Sequence, residues 1–338
     1  MSTLMAADME AQPEVLRGLA GRRAEVLERL GRHSGTLRGT IIVARGSSDY
    51  AAVFGRYVLE AATGRPVALA APSLTTLYGV RTDLEGWLAV GVSQSGRTPE
   101  IVSVLERYRD AGALTVAVTN EAASDLSGAA HETVELGAGD ERAIPATKTF
   151  TAQLAAFALI AEAWGTPPWR EADWDALPEA VRHVLADPAP AERAAERVGD
   201  AAEMVCVARG YLTAVALEAA LKLREAAGVM AEGWSAADFR HGPIAAARPG
   251  VPALAVSAAG PAAADVDELA ATLASGGATV LRLSGGPAAD LPFPASPAEP
   301  LAAIPAAVRA QQLALAVALR RGADPDSPAG LSKVTPTR

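Results

Sequence analysis

Small hydroxyl-bearing residues gather at two places in the first half of the chain. One is Gly46-Ser47-Ser48. The other is Ser93-Gln94-Ser95-Gly96-Arg97-Thr98, followed by Pro99 and Glu100. Each follows a short apolar run, TIIVAR or WLAVGV, and each leads into a stretch of helical composition. Pro suits the first turn of a helix and Thr98 suits its N-cap. A helix N-terminus offers unpaired N–H groups and the positive end of the dipole. With the hydroxyls of Ser93, Ser95 and Thr98 beside it, such a loop could hold a phosphate without a metal. An ordinary capped turn has the same spelling and binds nothing. No GxxxxGK[ST] occurs, and no GxGxxG follows a strand, so nucleotide binding is not favoured.

Groups suited to proton transfer lie in the second half. Glu218, Lys222 and Glu225 share one stripe of the run TAVALEAALKLREAA, at i, i+4 and i+7. An exposed salt-bridge ladder has this spacing, worth a few tenths of a kcal/mol per pair. A helix following the first strand of its half should instead be covered, and a desolvated carboxylate there suits proton transfer. Of four histidines, His33, His131 and His183 stand in polar contexts with no evident partner. His241, in Asp238-Phe239-Arg240-His241-Gly242-Pro243, is either a turn cap or a proton donor. Lys333, near the carboxyl end, reads by position as a solvated lysine. In Glu141–Phe150, Thr147 or Thr149 could cap the helix that follows, and Lys148 reads as structural. The single cysteine, Cys206, excludes an internal disulfide and a multi-cysteine metal site. It lies in an apolar strand and should be inert.

The elements that must position these residues are repeated. VARG occurs at Val43–Gly46 and at Val207–Gly210, an offset of 164. The same offset carries Gly64 onto Gly228, Ser93 and Gly96 onto Ser257 and Gly260, and Thr115-Val116 onto Thr279-Val280. In each half, short apolar strands alternate with helical segments, which predicts parallel βαβ units. The fold class is α/β: two tandem doubly wound, flavodoxin-like parallel-sheet domains, with a leading helix and an irregular carboxyl-terminal tail. The predicted bounds are a helical segment over 1–30, a first domain over 31–170, a linker over 171–195, a second domain over 196–322 and a tail over 323–338. The second-half counterpart of the Gln94-Ser95 loop, Ser257-Ala258-Ala259-Gly260-Pro261, has lost the Gln and the second Ser. One phosphate pocket per chain, in the first half, is the economical expectation.

Composition narrows the function classes. The 338 residues are 50% hydrophobic and 20% charged, which fits a globular protein of two domains. A net charge of −9 and an aromatic content of 4% argue against nucleic acid. The amino terminus does not read as a signal peptide, and no apolar run approaches a membrane span. A cytoplasmic location is expected.

The strings ARGSSDY, GVSQSGRTPE, ATKTF, ALEAALKLREAAGVMAEG, FRHGPIA and LSKVT together resemble the sugar isomerase (SIS) phosphosugar-binding family. They are closer still to the isomerase half of glutamine–fructose-6-phosphate amidotransferases and to the stand-alone amino-sugar-phosphate deaminases. The resemblance covers nearly the whole chain and implies roles. Ser48, Ser93, Gln94, Ser95 and Thr98 match phosphate-binding positions, with Gly46 and Ser47 adjacent. Glu225 matches the base that moves a proton between C1 and C2. His241 matches the ring-opening acid/base, which relatives take from the neighbouring subunit. Lys333 matches a tail lysine that contacts the sugar carbonyl, and Lys222 a lysine near the same site. Ala146 stands where the amidotransferase has a serine, which puts one sugar contact in doubt. The resemblance implies an isomerising deaminase of an amino-sugar 6-phosphate, most simply glucosamine 6-phosphate. It implies a small phosphosugar partner, no metal or other cofactor, no nucleic acid or membrane, and a homodimer with shared sites. With no glutaminase domain or N-terminal cysteine, glutamine would not be the ammonia source. A deglycase of phosphorylated sugar–amino-acid adducts and a non-catalytic phosphosugar sensor are the alternatives.

Overall fold

The computed structural model describes residues 3–33, 35, 37–296 and 298–333. Its contacts divide the chain into two units. The first contains Val15–Asp140, Ala152–Pro168 and the residues from Ser332; the second contains the residues up to Glu14, Glu141–Thr151 and Trp169–Leu331.

The leading segment, predicted as one helix, is three: α1 (Leu4–Glu10), α2 (Gln12–Gly21) and α3 (Arg23–Gly31). Pro13 has no N–H to give the Met9 carbonyl, so α1 cannot run on. The Gln12 side chain supplies the missing donor, its Nε2 reaching Met9 O at 3.1 Å. At the second break the Arg22 guanidinium folds back to Gly18 O at 3.3 Å.

The first unit is built on a parallel sheet of β1 (Gly39–Val43), β2 (Val67–Leu69), β3 (Trp87–Val92), β4 (Leu114–Thr119) and β5 (Glu132–Glu135), in the order β2-β1-β3-β4-β5. Its helices are α4 (Ser47–Thr63), α5 (Pro72–Thr76), α6 (Pro99–Asp110), α7 (Asp125–Gly128) and most of α8 (Lys148–Trp164). β3 and β4 are buried along almost their whole length, as the unbroken apolar runs require of strands covered on both faces. Val43, Ala89, Ile101, Val104, Leu105 and Leu126 form part of the core under α6 and α7. Each such Val, Leu or Ile side chain contributes about 1.5–3 kcal/mol by leaving water.

The second unit repeats the plan. β6 (Glu203–Ala208), β7 (Met230–Ser235), β8 (Ala253–Val256), β9 (Val280–Ser284) and β10 (Leu291–Pro292) lie in the order β10-β9-β8-β6-β7. This is the first sheet's order with each strand exchanged for its counterpart. Its helices are α9 (Glu171–Ala186), α10 (Ala189–Val198), α11 (Thr213–Ala227), α12 (Ala236–Arg240), α13 (Ala263–Ser275) and α14 (Glu299–Arg320). The offset of 164 places β1 on β6 and the end of α4 on the end of α11. Gly64 and Gly228, the residues ending those helices, share the same left-handed conformation, φ 65° and ψ 21°. The stretch 171–195, read as a linker, folds into α9 and most of α10, which pack against α14.

α14 is long and apolar enough to cross a bilayer, which the sequence reading did not expect of any segment. Its most apolar stretch is 89% buried within the fold, as in the core helix of a globular unit. After Arg321 the described tail has no helix or strand, and Val334–Arg338 lie outside the described residues.

Candidate active site

In an open sheet of this order, ligands bind beyond the carboxyl ends of the two strands from which the chain departs in opposite directions. In the first unit these are β1 and β3. The loops leaving them are the two hydroxyl-rich strings, so topology brings Gly46, Ser47 and Ser48 beside the run from Ser93 to Thr98.

Their geometry is specific. Gly46 turns the chain into α4 with φ 61° and ψ −137°, leaving Ser47 and Ser48 in the first turn. Ser48 is buried, and its hydroxyl accepts from Gln153 Nε2 of α8 at 2.9 Å. Thr98 stands at the N-cap of α6 with Pro99 in the first turn, as expected. Its hydroxyl does not cap the helix, however. It lies 3.1 Å from the Ser93 hydroxyl, so the backbone N–H groups of this turn keep no side-chain cap from Thr98. Ser95 Oγ accepts from Arg97 N at 3.3 Å. The Gln94 carbonyl accepts from Asn120 N at 3.1 Å, tying the loop to the end of β4. Gly96 has φ 62°, and a Cβ there would lie 2.1 Å from Ser124 Oγ. Only glycine lets this loop close against its neighbour.

A pair that the sequence reading missed joins the two loops. Arg45, just before Gly46, meets buried Glu100 of α6 in a two-pronged contact, Nε to Oε2 at 3.0 Å and Nη2 to Oε1 at 3.1 Å. Fork-to-fork pairing fixes orientation as well as distance. Burial raises the Asp49 carboxyl above the usual carboxylate range, and the nearby Arg45 charge opposes that shift.

In the second unit the exposed-ladder reading of α11 fails. Glu218 and Lys222 are buried, with side chains 2% and 1% exposed, and Lys222 Nζ lies 3.4 Å from Glu218 Oε1. Lys222 also makes a close hydrogen bond to Glu225, which is 21% exposed. The three charges therefore form an inward-facing group, of which Glu225 alone retains appreciable access. Burial by itself would lower the Lys222 pKa. The carboxylates of Glu218 and Glu225, and of Glu141 at greater range, more than offset it, so the ammonium titrates above the ordinary lysine value.

Glu141, also missed, is the true cap of α8. Its buried carboxylate accepts from Thr147 N at 2.7 Å, Thr149 N at 3.2 Å and both threonine hydroxyls. The threonines thus donate to the cap and are not themselves the cap. Lys148 is structural, its Nζ 3.0 Å from buried Asp8.

His241 ends α12 with its side chain exposed, and Gly242 follows at φ 148°. Lys333 is exposed and is grouped with the first unit. Two of the other histidines, expected to lack partners, have them. His33 Nε2 lies 3.0 Å from Glu132, and His131 Nδ1 lies 2.8 Å from the Thr115 hydroxyl. Cys206 is fully buried in β6, and burial pushes its thiol up to about 12. Among the described residues, no cluster of three or more His, Cys, Asp or Glu side chains could hold a metal ion.

Two parallel sheets of this order, with hydroxyl-rich loops at one switch point, define a class of protein, and the SIS domain model matches residues 38–163 and 199–317. The chain belongs to the SIS domain family. An isomerizing glutamine–fructose-6-phosphate aminotransferase of Methanothermobacter thermautotrophicus is 29% identical over 345 residues, covering 97% of this chain and 56% of that protein. One from Shouchella clausii is 33% identical over 312 residues, covering 86% of this chain and 50% of that protein. The chain spans about half the length of the curated relatives it matches. Among solved structures, one from Silicibacter pomeroyi DSS-3, provisionally termed a phosphosugar isomerase, superposes with a TM-score of 0.86 at 32% identity, covering 96% of this chain and 100% of that one. The glucosamine-6-phosphate deaminase of Thermotoga maritima shares the fold, with a TM-score of 0.81 at 23% identity over 99% of this chain and 100% of that one.

Proposed function

We propose that this chain is an aldose–ketose isomerase that releases ammonia from an amino-sugar 6-phosphate, most simply converting glucosamine 6-phosphate and water to fructose 6-phosphate and ammonia. The observation that carries this reading is the buried Glu218–Lys222–Glu225 group in a SIS-family chain. One ammonium is shared by two carboxylates, and only the Glu225 carboxylate is open to a substrate.

The sugar's phosphate is assigned to Ser47, Ser48, Ser93, Gln94, Ser95 and Thr98, at the N-termini of α4 and α6. His241 opens the ring as acid and base. Glu225 removes the proton from C2 and returns it to C1, which converts the aminoaldehyde to a C2 imine. Water adds at C2, the C–N bond breaks, and ammonia leaves. Lys222 holds the Glu225 carboxylate in place, and Lys333 is assigned to the sugar's carbonyl end. The active unit is assigned to a homodimer in which His241 serves the neighbour's site.

Glu225→Gln should abolish ammonia release while leaving substrate affinity within a few-fold; a fully active variant would refute the assignment of the base. Ammonia release across a panel of hexosamine 6-phosphates and 6-phosphorylated sugar–amino-acid adducts separates deaminase from deglycase. Phosphosugar-dependent thermal stabilisation without turnover on any of them would indicate a sensor. Mixing inactive Glu225→Gln chains with inactive His241→Ala chains should restore part of the activity if sites are shared between subunits.

A further inference from the structure

The two sheets have the same strand order, so each has its own switch point. In the second unit it lies between the loops leaving β6 and β8. The offset of 164 pairs Gly210 with Gly46 and Gly260 with Gly96; a Cβ added to Gly96 would meet the Ser124 hydroxyl, whereas the second-unit glycines face a carboxylate. A Cβ added to Gly46 meets no described residue within 4 Å, whereas one added to Gly210 lies 4.0 Å from Glu299 Oε1. A Cβ added to Gly260 lies 2.1 Å from Glu299 Oε2 and 2.4 Å from its Cδ. One carboxylate therefore spans the two loops whose first-unit counterparts carry the phosphate-type hydroxyls.

The setting suits an anion. Glu299 is the first residue of α14, the loop after Gly260 leads into α13, and Gly210 opens the short turn that leads into α11. The Glu299 carboxylate thus lies at the first turn of α14 and against the loops that lead into α13 and α11, and helix starts present the positive ends of dipoles. Burial works against that charge and raises the Glu299 carboxyl above the usual carboxylate range, a desolvation that nearby positive dipole ends have to offset. Tyr211, in the β6 loop, has its hydroxyl raised first by burial and then by the negative charge of Glu299, which also places that charge beside this loop. The residue 164 positions earlier, Glu135, ends β5 and faces Arg22 at 4.0 Å.

We infer that Glu299 is a built-in anion, filling in the second repeat the place where the first repeat takes its ligand's phosphate. The same residue then explains three features together. Gly260 is retained because a side chain there would strike the carboxylate. The hydroxyls of the matching loop are dispensable, so Ala258 and Ala259 stand where the first repeat has Gln94 and Ser95. The chain offers one phosphosugar site although it has two switch points. The inference rests on the reading that the first-unit loops take a phosphate.

The test is anion rescue of Glu299→Ala, followed by thermal melting in inorganic phosphate from 0 to 50 mM at constant ionic strength. The variant should melt below the wild type without phosphate and recover at least half of the loss with it, while Glu299→Gln, which keeps the volume, should melt low and recover less. The phosphate-dependent rise should be larger in Glu299→Ala than in the wild type. Equal responses in both proteins, or a Glu299→Ala variant as stable as the wild type, would overturn the inference. A wild type that does not respond while Glu299→Ala does would instead count against the first-unit phosphate reading and leave the built-in anion standing. Should Glu299→Ala fail to fold, Glu299→Ser gives the same comparison, and failure of both to fold even in 50 mM phosphate would also overturn it.

Discussion

Replacing Lys222 by Met removes the only ammonium from a group in which Glu218 is 2% exposed. The volume is nearly conserved, so the change is electrostatic. Breaking a buried ion pair by deleting one partner costs about 3–5 kcal/mol, because the remaining charge must be neutralised or solvated. In the variant, Glu218 loses the ammonium that offsets its burial and takes up a proton more readily, so its folded-state pKa rises above the unfolded value. The penalty is absent below about pH 4.3, the ordinary glutamate range, and grows as pH increases from there. Urea and thermal unfolding of the second unit, followed by circular dichroism between pH 5 and 8, should show Lys222→Met losing about 3–5 kcal/mol at pH 7 and less at pH 5. The double variant Lys222→Met with Glu218→Leu removes the stranded charge and should regain most of that loss. In the wild type the contribution of Lys222 is stabilising, and it too falls as pH rises. The Lys222 pKa is raised on folding, so its contribution is complete at all pH values below the ordinary lysine range and is lost only above about pH 10.4. A Lys222→Met protein within about 1 kcal/mol of the wild type at pH 7, with a flat profile from pH 5 to 8, would refute the buried-group argument.

Gly96→Ala should destabilise the first unit and raise the KM for sugar phosphate by roughly tenfold, about 1.4 kcal/mol. The new Cβ would meet Ser124 Oγ at 2.1 Å in a left-handed backbone, and adding Ser124→Gly should relieve that contact but neither the one with Thr119 Oγ1 at 2.9 Å nor the backbone strain. For the pair joining the two hydroxyl-rich loops, a double-mutant cycle of Arg45→Ala and Glu100→Gln should give a coupling of about 1 kcal/mol in KM with little change in kcat; additive effects would show that the contact does not organise the loops. Cys206 should resist a thiol reagent at pH 8 in the native protein and react fully in urea, and stoichiometric native labelling would contradict its burial.

The fold was legible because burial on both faces of a strand leaves an unbroken apolar run, and because duplication wrote the same runs twice at one spacing. The two hydroxyl-rich loops were legible too, as the segments that leave adjacent strands β1 and β3. What the sequence concealed depends on contacts between distant positions. Arg45 and Glu100 are 55 positions apart and acquire meaning only when β1 and β3 lie side by side. Glu141 reads as an ordinary loop acid until four donors converge on it. The spacing of Glu218, Lys222 and Glu225 is the same for a solvated ladder and a buried group, and only the covering of α11 decides between them. The break after α1 follows from Pro13, which the sequence shows, but the Gln12 amide that replaces the lost donor is encoded by no periodicity.

The most extensively packed pair of elements is α11 with α14, and the buried positions of both are crowded with alanine. Helices faced with methyl groups approach closely and leave little slack, so one added methylene on α14 would displace its neighbour and, with it, the side chains that neighbour carries. Laboratory evolution aimed at a different sugar should accordingly find beneficial changes at Ala303, Ala307 or Ala314, far along the chain from any loop, acting as a mechanical adjustment of reach rather than as new contacts.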